Sequence, residues 1–330
     1  MTLETTFASA LGPQIVRYVS LKRALGRRYA VEQDVFRHLD AFLSAAGCDL
    51  SPEKFADWCH TRAHLTPTVR RNWMRIVRNF CLYRRRTEPF CFLPDPSQFP
   101  HPHQPMRPHI FTEEEITHLL RAVDQLEPTP GSPLRREVFR LAVVLLYTTG
   151  LRRGELVRLR VGDYDPYERT VLVRESKFHK SRILPLSTDG SGELDAYLQK
   201  RRTRTLPVST ETPLVWNRYG GGGAYTGAGL GQGMRALFQA AGIRTRTGQL
   251  PRVHDFRHAF AVHALLRWYR SGANVQAKLP YLAAYMGHVS IVSTQYYLHF
   301  IDELAATASD RFEQRYGTLV TTLRTLGGAP

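Results

Sequence analysis

A proline-rich stretch most constrains what this sequence can fold into. It spans residues 93–108 and reads LPDPSQFPHPHQPMRP. Proline removes a backbone hydrogen-bond donor and blocks helix formation, so this stretch is expected to run as an extended linker. We therefore predict two domains, residues 1–104 and residues 105–330. A chain of 330 residues is long enough to give each domain its own core.

The segment before the linker has the apolar spacing of helices. Residues 13–46 carry apolar side chains at helical intervals. Ser51 and Pro52 are typical of an N-cap and the first position of a helix. A further helix is predicted from Thr66 to about Tyr83. The first domain is therefore predicted to be all helical.

The segment after the linker mixes helices with one pair of strands. Helices are predicted over residues 112–126, 135–150 and 191–202, around Glu155, and in a stretch that ends at Ala241. Residues 169–186 alternate in the manner of strands and predict a hairpin with Lys177 in its turn. The glycine-rich residues 220–233 are predicted to form a mobile loop ahead of a helix. The predicted fold class is mainly α with a small antiparallel β-hairpin or sheet, in which the second domain is mixed α+β.

The chain is strongly basic, with a formal net charge of +16. A charge of this size favours a polyanionic partner, chiefly nucleic acid. Seven arginines and no acidic residue lie between Arg70 and Arg86. Four of these arginines are predicted to contact DNA: Arg70, Arg71, Arg75 and Arg78. The alternative is a solvated basic face, which is how most charged runs behave.

Other classes of protein are disfavoured by the sequence. No apolar run is long enough to span a bilayer, and the first thirty residues lack the apolar core of a signal peptide, so a cytoplasmic location without a membrane partner is expected. The four cysteines form no CxxC pair and match no zinc spacing. We therefore expect reduced thiols, no metal site and no cofactor.

A set of residues suited to phosphoryl transfer lies between positions 254 and 297. His254 and Arg257 are three residues apart, so on a helix they share a face. His288 follows, and Tyr297 comes nine residues after it, beside Tyr296. A guanidinium can fork onto phosphate oxygens, imidazoles can donate hydrogen bonds, and a tyrosine is a candidate covalent nucleophile. On a helix the two adjacent tyrosines would point about 100° apart, so only one can face the phosphate.

With these residues in view, the sequence resembles the tyrosine recombinase, or phage integrase, family. TGLR at 149–152 is similar to the family's first arginine box, and ESKFHKSRILPL is similar to its β-hairpin lysine segment. HDFR and MGH match two further boxes. The similarity covers about residues 112–300, and the helical segment before it resembles the family's core-binding domain. The six functional positions are all filled, in the family's order, by Arg152, Lys177, His254, Arg257, His288 and Tyr297.

The resemblance implies a site-specific DNA recombinase of the integrase or transposase kind, which works without metal, cofactor or ATP. Tyr297 would attack the scissile phosphate and form a 3′-phosphotyrosine, while Arg152 and Arg257 hold the non-bridging oxygens. Lys177 would protonate the leaving 5′-oxygen, although its neighbours could supply positive charge equally well. The two histidines would add hydrogen bonds. Glu155 would orient an arginine or a histidine.

The resemblance also implies partners. These are double-stranded DNA at specific recombination sites, further copies of the chain in a tetrameric synapse, and related recombinases or accessory DNA-bending proteins. Two alternatives remain open at this point. One is a type IB topoisomerase-like enzyme that relaxes DNA, and the other is a non-catalytic DNA-binding homologue. The spacing between His288 and Tyr297 favours recombination.

Overall fold

The chain folds as two units that meet in sequence at residue 106. They are Met1–Met106 and Arg107–Pro330. The structure, a computed structural model, describes residues 7–27, 29–101, 107–174, 181–219 and 223–288. Each unit has an apolar core of its own. The predicted fold class, mainly helical with a small antiparallel sheet, is confirmed.

The N-terminal unit is built from α-helices, and local sequence signals mark where they begin or end. They are α1 Gly12–Ala24, α2 Ala30–Ala46, α3 Pro52–His60 and α4 Pro67–Arg84. The Ser51 hydroxyl accepts a hydrogen bond from the Lys54 backbone N–H at the start of α3. α2 ends at Gly47, which takes the left-handed conformation. Their apolar faces meet around the buried rings of Phe36 and Phe80.

The segment that follows α4 packs back against that helix. Arg71 donates from Nη1 to the carbonyl oxygen of Pro100 at 2.8 Å. Arg78 donates from Nε to the carbonyl oxygen of Pro94 at 3.1 Å. The described part of the predicted linker is therefore attached to α4 through two of the arginines that the sequence assigned to DNA.

The C-terminal unit is organised around α6. Its helices are α5 Glu113–Asp124, α6 Arg135–Thr149, α7 Arg153–Leu156, α8 Thr188–Thr203, α9 Gly227–Ala240, α10 Asp255–Arg270 and α11 Val275–Met286. α6 is apolar on most of its surface and packs against α5, α8 and α10. Within the described ranges, no helix is both long enough and apolar enough to cross a membrane.

A three-stranded antiparallel sheet lies beside this helical core. Its strands are β1 Tyr164–Asp165, β2 Thr170–Val173 and β3 Arg182–Pro185, in the order β1-β2-β3. Val173 pairs with Arg182, which fixes the register of the predicted hairpin. Val171, Val173 and Leu184 face the core. The edge strand β1 was not predicted, because two residues carry too little alternation to be recognised.

The glycine-rich stretch is partly helical, so the prediction of a loop through residue 233 was wrong. α9 begins at Gly227, after the Thr226 hydroxyl caps the Gly229 N–H. A Cβ at Gly231 would lie 2.7 Å from a guanidinium nitrogen of Arg153, and one at Gly233 would lie 2.1 Å from the Phe139 ring. These glycines let neighbouring side chains pack onto the helix, and tertiary packing overrides their low helix propensity.

Candidate active site

The helices that precede two of the motifs end in the same way. α6 ends at Gly150 and α11 ends at Gly287, and both glycines have positive φ, +63° and +66°. Glycine adopts this left-handed conformation without the strain that a Cβ would bring. The backbone carbonyl oxygen of each of these two glycines accepts a hydrogen bond from a predicted catalytic arginine. Arg257 Nη1 donates to Gly150 at 2.8 Å, and Arg152 Nη2 donates to Gly287 at 3.1 Å.

Arg257 lies in the first turn of α10 and is only 1% exposed. Besides Gly150, its guanidinium donates through Nη2 to the carbonyl oxygen of Met286. One side chain therefore joins the C-terminal ends of α6 and α11. Helix C-termini carry partial negative charge, which stabilises a buried guanidinium at this point.

Arg152 precedes α7 and is held by the acid three residues further on. The Glu155 carboxylate accepts the Arg152 backbone N–H at 3.0 Å and its Nη1 at 2.6 Å. The Glu155 side chain is 1% exposed, whereas that of Arg152 is 24% exposed. The carboxylate is thus buried beneath an arginine that still reaches the surface.

A third arginine, Arg182, belongs to the same cluster. It donates from Nη1 and Nη2 to the two oxygens of Glu155, at 3.1 and 2.9 Å. Its Nε donates to the Tyr285 carbonyl oxygen near the end of α11, at 2.8 Å. From the sequence, Arg182 was only one of the basic neighbours of Lys177. The alternation of side chains along β3 is the signal that could have identified Arg182 as part of the site. It places Arg182 on the same face as buried Leu184 and opposite to exposed Ile183.

These contacts fix the charge state of the cluster. Burial of the Glu155 carboxyl raises its pKa, but hydrogen bonds from Arg182 and the Arg152 backbone, with the charges of both guanidiniums, lower that pKa to about 2. Glu155 is therefore ionised at neutral pH. With Arg257, three guanidiniums share the site with this one carboxylate, so a net positive charge remains for an anionic ligand.

The two predicted histidines lie at the edges of the cluster. His254 lies at the start of α10, and its ring meets that of His258 edge-on with centroids 4.9 Å apart. His288 directly follows the Gly287 cap. Removal from water and the positive charge of Arg257 lower the pKa of His254, and the same two causes lower that of His288 to about 4. Both rings are neutral at pH 7 and can each donate one N–H.

The structure brings four of the predicted catalytic positions together with Glu155. These four are Arg152, His254, Arg257 and His288. Lys177 and Tyr297, with the adjacent Tyr296, lie outside the described residues. The predicted DNA-binding arginines, Arg70, Arg71, Arg75 and Arg78, lie on α4 of the N-terminal unit. Among the described residues, no cluster of histidine, cysteine and acidic side chains could hold a metal ion.

Sequence comparison gives the class of protein to which this fold and its arginine cluster belong. The phage integrase family matches residues 109–303. This is more than half of the chain, and the chain belongs to the phage integrase family, the tyrosine recombinases. The resemblance carried by the motifs is thereby confirmed.

Relatives place the chain among recombinases and integrases. A protein of Sinorhizobium fredii (strain NBRC 101917 / NGR234) named as an integrase/recombinase, y4rE, is 30% identical over 316 residues, which cover 93% of this chain and 97% of that protein. Tyrosine recombinase XerD of Mycobacterium leprae (strain TN) is 33% identical over 193 residues, covering 58% of this chain and 56% of the relative. The predicted function, site-specific recombination by DNA cleavage and rejoining, is confirmed at the level of this family.

Solved structures share the fold. The integrase of transposon Tn1549, in complex with transposon right end DNA, has a TM-score of 0.62 at 16% identity, covering 92% of this chain and 98% of that one. A lambda integrase tetramer bound to a Holliday junction has a TM-score of 0.58 at 15% identity, covering 87% and 76%. These likenesses support the fold assigned to the chain.

Proposed function

We propose that this chain cleaves and rejoins double-stranded DNA at specific sites through a 3′-phosphotyrosine on Tyr297, without metal or ATP. The observation that carries the proposal is the convergence of two arginines and a histidine at the end of α11, all of them side chains suited to bind phosphate. The carbonyl oxygen of Met286 accepts from Arg257, the carbonyl oxygen of Gly287 accepts from Arg152, and His288 comes next. Two guanidiniums anchored to consecutive carbonyls have a fixed separation.

Arg152 retains donors for a ligand. A guanidinium carries five N–H donors. Within the described residues, Arg152 uses one for Glu155 and one for Gly287, and its side chain reaches the surface. The remaining donors can bind the non-bridging oxygens of a phosphate. Because their supports are in place before the substrate arrives, these charges need little reorganisation as the pentacoordinate state forms.

The reaction is balanced without a cofactor. The Tyr297 hydroxyl loses its proton to water and its oxygen forms a bond to phosphorus, while the bond to the 5′-oxygen breaks and Lys177 gives a proton to that oxygen. The 5′-hydroxyl of a partner strand then returns a proton to Lys177 as its oxygen attacks the phosphotyrosine, and the released tyrosine oxygen takes a proton from water. The energy of the phosphodiester is retained in the covalent intermediate, so ATP is not required. His254 and His288 donate hydrogen bonds to the phosphate, and Glu155 orients Arg152.

The N-terminal unit is proposed to grip the DNA backbone through arginines of α4. Its exposed Arg75 donates within its own helix, to Asn72 at 2.9 Å, and can turn to a phosphate at little cost. The assembly of lambda integrase as a tetramer on a Holliday junction supports the proposal that four copies of this chain bring two DNA sites together.

Covalent capture tests this function. Nicked duplexes covering the DNA that flanks the gene would be incubated with wild-type protein, Tyr297→Phe and Tyr296→Phe, and denaturant-resistant adducts would be measured. We expect adducts with wild type and Tyr296→Phe, and none with Tyr297→Phe. Adduct formation by Tyr297→Phe but not by Tyr296→Phe would show that the neighbouring tyrosine is the nucleophile.

A plasmid with two copies of the captured site distinguishes the alternatives. Recombinant products are expected. Relaxation without recombinants would identify a topoisomerase-like enzyme instead. Binding with neither product would identify a non-catalytic DNA-binding protein.

A further inference from the structure

Arg182 lies in the β-hairpin segment but is none of the six functional positions, and it makes three hydrogen bonds within the site. It is the first residue of β3, and its side chain is 11% exposed. Its fork spans both oxygens of Glu155, while Nε reaches the Tyr285 carbonyl oxygen. Such a bidentate, charge-assisted pair fixes the plane of the carboxylate as well as its position.

The carboxylate that Arg182 holds is the one that orients Arg152. One Glu155 oxygen accepts from Arg152 Nη1 at 2.6 Å and from Arg182 Nη1 at 3.1 Å. The other accepts from the Arg152 backbone N–H at 3.0 Å and from Arg182 Nη2 at 2.9 Å. A carboxylate has about four acceptor positions, and these four bonds fill them. Glu155 therefore cannot rotate without breaking a bond to Arg182.

Arg182 also lies against the second support of Arg152. The Gly287 carbonyl oxygen accepts from Arg152 Nη2, and a Cβ at Gly287 would lie 3.0 Å from Arg182 Nη1. The Tyr285 carbonyl oxygen, two residues earlier, accepts from Arg182 itself. Arg182 thus contacts both groups that determine where the Arg152 guanidinium stands.

We propose that Arg182 is a positioning residue for strand cleavage that acts through Arg152, and this inference rests on the function proposed above. Arg182 has two effects. It holds Glu155 and the end of α11 in place, and its guanidinium neutralises part of the negative charge of Glu155. Without it, the buried carboxylate would have Arg152 as its remaining guanidinium partner and would draw that charge away from the phosphate.

The test is a double-mutant cycle on full-length protein, read as the single-turnover rate of adduct formation on the nicked duplex. Arg182→Gln should slow cleavage about tenfold to a hundredfold in the wild-type background, which is typical of residues that support a reactive group. In an Arg152→Lys background, where the hydrogen bond from Arg152 Nη1 to Glu155 is already lost, the same change should slow cleavage less than about threefold. Equal losses in the two backgrounds would overturn the inference.

Two further variants separate positioning from general damage. Arg174→Gln is the matched control, since Arg174 follows β2 in the same sheet and its ion pair is with a different buried acid, Asp163. It should leave the rate unchanged. Arg182→Lys keeps the charge without the fork and should fall between wild type and Arg182→Gln, so it reports even if the glutamine variant folds poorly. A lysine variant as fast as wild type would contradict the role of the fork.

The outcome for the wild-type protein separates this inference from the function on which it rests. If wild type forms no adduct on any duplex, the proposed function fails and the inference fails with it. If wild type forms the adduct and Arg182→Gln forms it equally fast, only the inference fails. DNA affinity should be unchanged in Arg182→Gln, because Arg182 is proposed to act on the rate of cleavage.

Discussion

Arg75 of α4 and the site arginines of the C-terminal unit are held in two different ways. In the C-terminal unit, Arg257 is buried and donates to backbone carbonyl oxygens at the ends of two separate helices. Arg152 is fixed by a buried acid and a helix cap. On α4, Arg75 is exposed and donates only to Asn72 among the hydrogen bonds of the described residues.

The difference indicates two uses of positive charge. An arginine that is fixed before the substrate arrives can stabilise charge that develops during the reaction, and its loss should slow the chemical step. An exposed arginine contributes chiefly by releasing counterions from DNA, and its loss should weaken binding to every sequence. Rate and salt dependence are therefore the two measurements that separate the units.

The largest expected effect is at Arg257. Arg257→Ala removes the donor to the Gly150 and Met286 carbonyl oxygens, and buried acceptors left without a partner cost about 1–3 kcal/mol each. Cleavage should fall about a thousandfold, as expected for a group that neutralises the transition state. Single-turnover cleavage and urea denaturation measure the two effects. The control is Arg267→Ala, an exposed arginine on the same helix. Cleavage within about tenfold of wild type would contradict the assigned role.

A second prediction sharpens the comparison at the support itself. Gly287→Ala places a Cβ on a left-handed residue, which costs about 1 kcal/mol, and presses on Arg182. Cleavage should fall about tenfold, because the carbonyl oxygen that anchors Arg152 moves. Gly242→Ala is the matched control, since Gly242 has φ +69° and open space around its Cβ. Both variants should lose similar stability, and only Gly287→Ala should lose rate. Equal rates for the two would show that the cap does not position Arg152.

Local features of the fold could be predicted because their signals are local. The capping box of Thr112 and Glu115, the cap at Ser51 and the end of α6 at Gly150 each depend on residues a few positions apart. The motif residues could be found for the same reason. Their supports could not, because Arg182 and Glu155 are 27 positions apart and no periodicity reports such a pair.

The sequence also could not show which aromatic side chains of α11 are buried. Tyr285 stacks on Phe260 with ring centroids 5.4 Å apart, whereas Tyr281 on the same helix is 74% exposed. An aromatic ring is apolar on either face of a helix, and only the position of the neighbouring helix determines which face is buried. The bonds of Arg71 and Arg78 to the linker were missed for the same kind of reason.

A third prediction concerns the loss of folding stability in acid, which follows from the lowered pKa of His288 in the C-terminal unit. The pKa of His288 is lowered to about 4 from the 6.5 of a free imidazole, first by burial and then by Arg257. Protons therefore bind the unfolded chain more tightly. The stability contributed by neutral His288 is fully present above about pH 6.5 and is lost as pH falls toward about 4.

The measurement is urea denaturation at pH 8 and pH 5. Wild type should lose stability on acidification, and His288→Gln should lose about 2 kcal/mol less than wild type does. Exposed His118→Gln should behave as wild type. An identical pH dependence for His288→Gln and wild type would mean that folding does not lower the pKa of His288.

The smallest expected effect lies on α4, where the structure divides the predicted DNA-binding arginines. Arg71 and Arg78 donate to carbonyl oxygens of the segment after the helix, whereas Arg75 is exposed and free to turn toward DNA. Arg75→Ala should therefore lower the slope of log affinity against log salt by about 0.9, whatever the DNA sequence. Between about 50 and about 200 mM salt, the affinity of Arg75→Ala for DNA should therefore fall about threefold less than that of wild type.

Arg71→Ala is the informative partner of Arg75→Ala, because both variants remove one charge from the same helix. If Arg71 serves chiefly to hold the Pro100 carbonyl oxygen, its loss should leave the salt slope nearly unchanged and should expose the linker to protease. Fluorescence anisotropy over a salt series and timed proteolysis measure the two effects. Equal slope changes in the two variants would mean that Arg71 leaves the linker to bind phosphate. Arginines held in place before DNA binds would then be found only in the C-terminal unit. The arginines of α4 would act on DNA together, as one basic face.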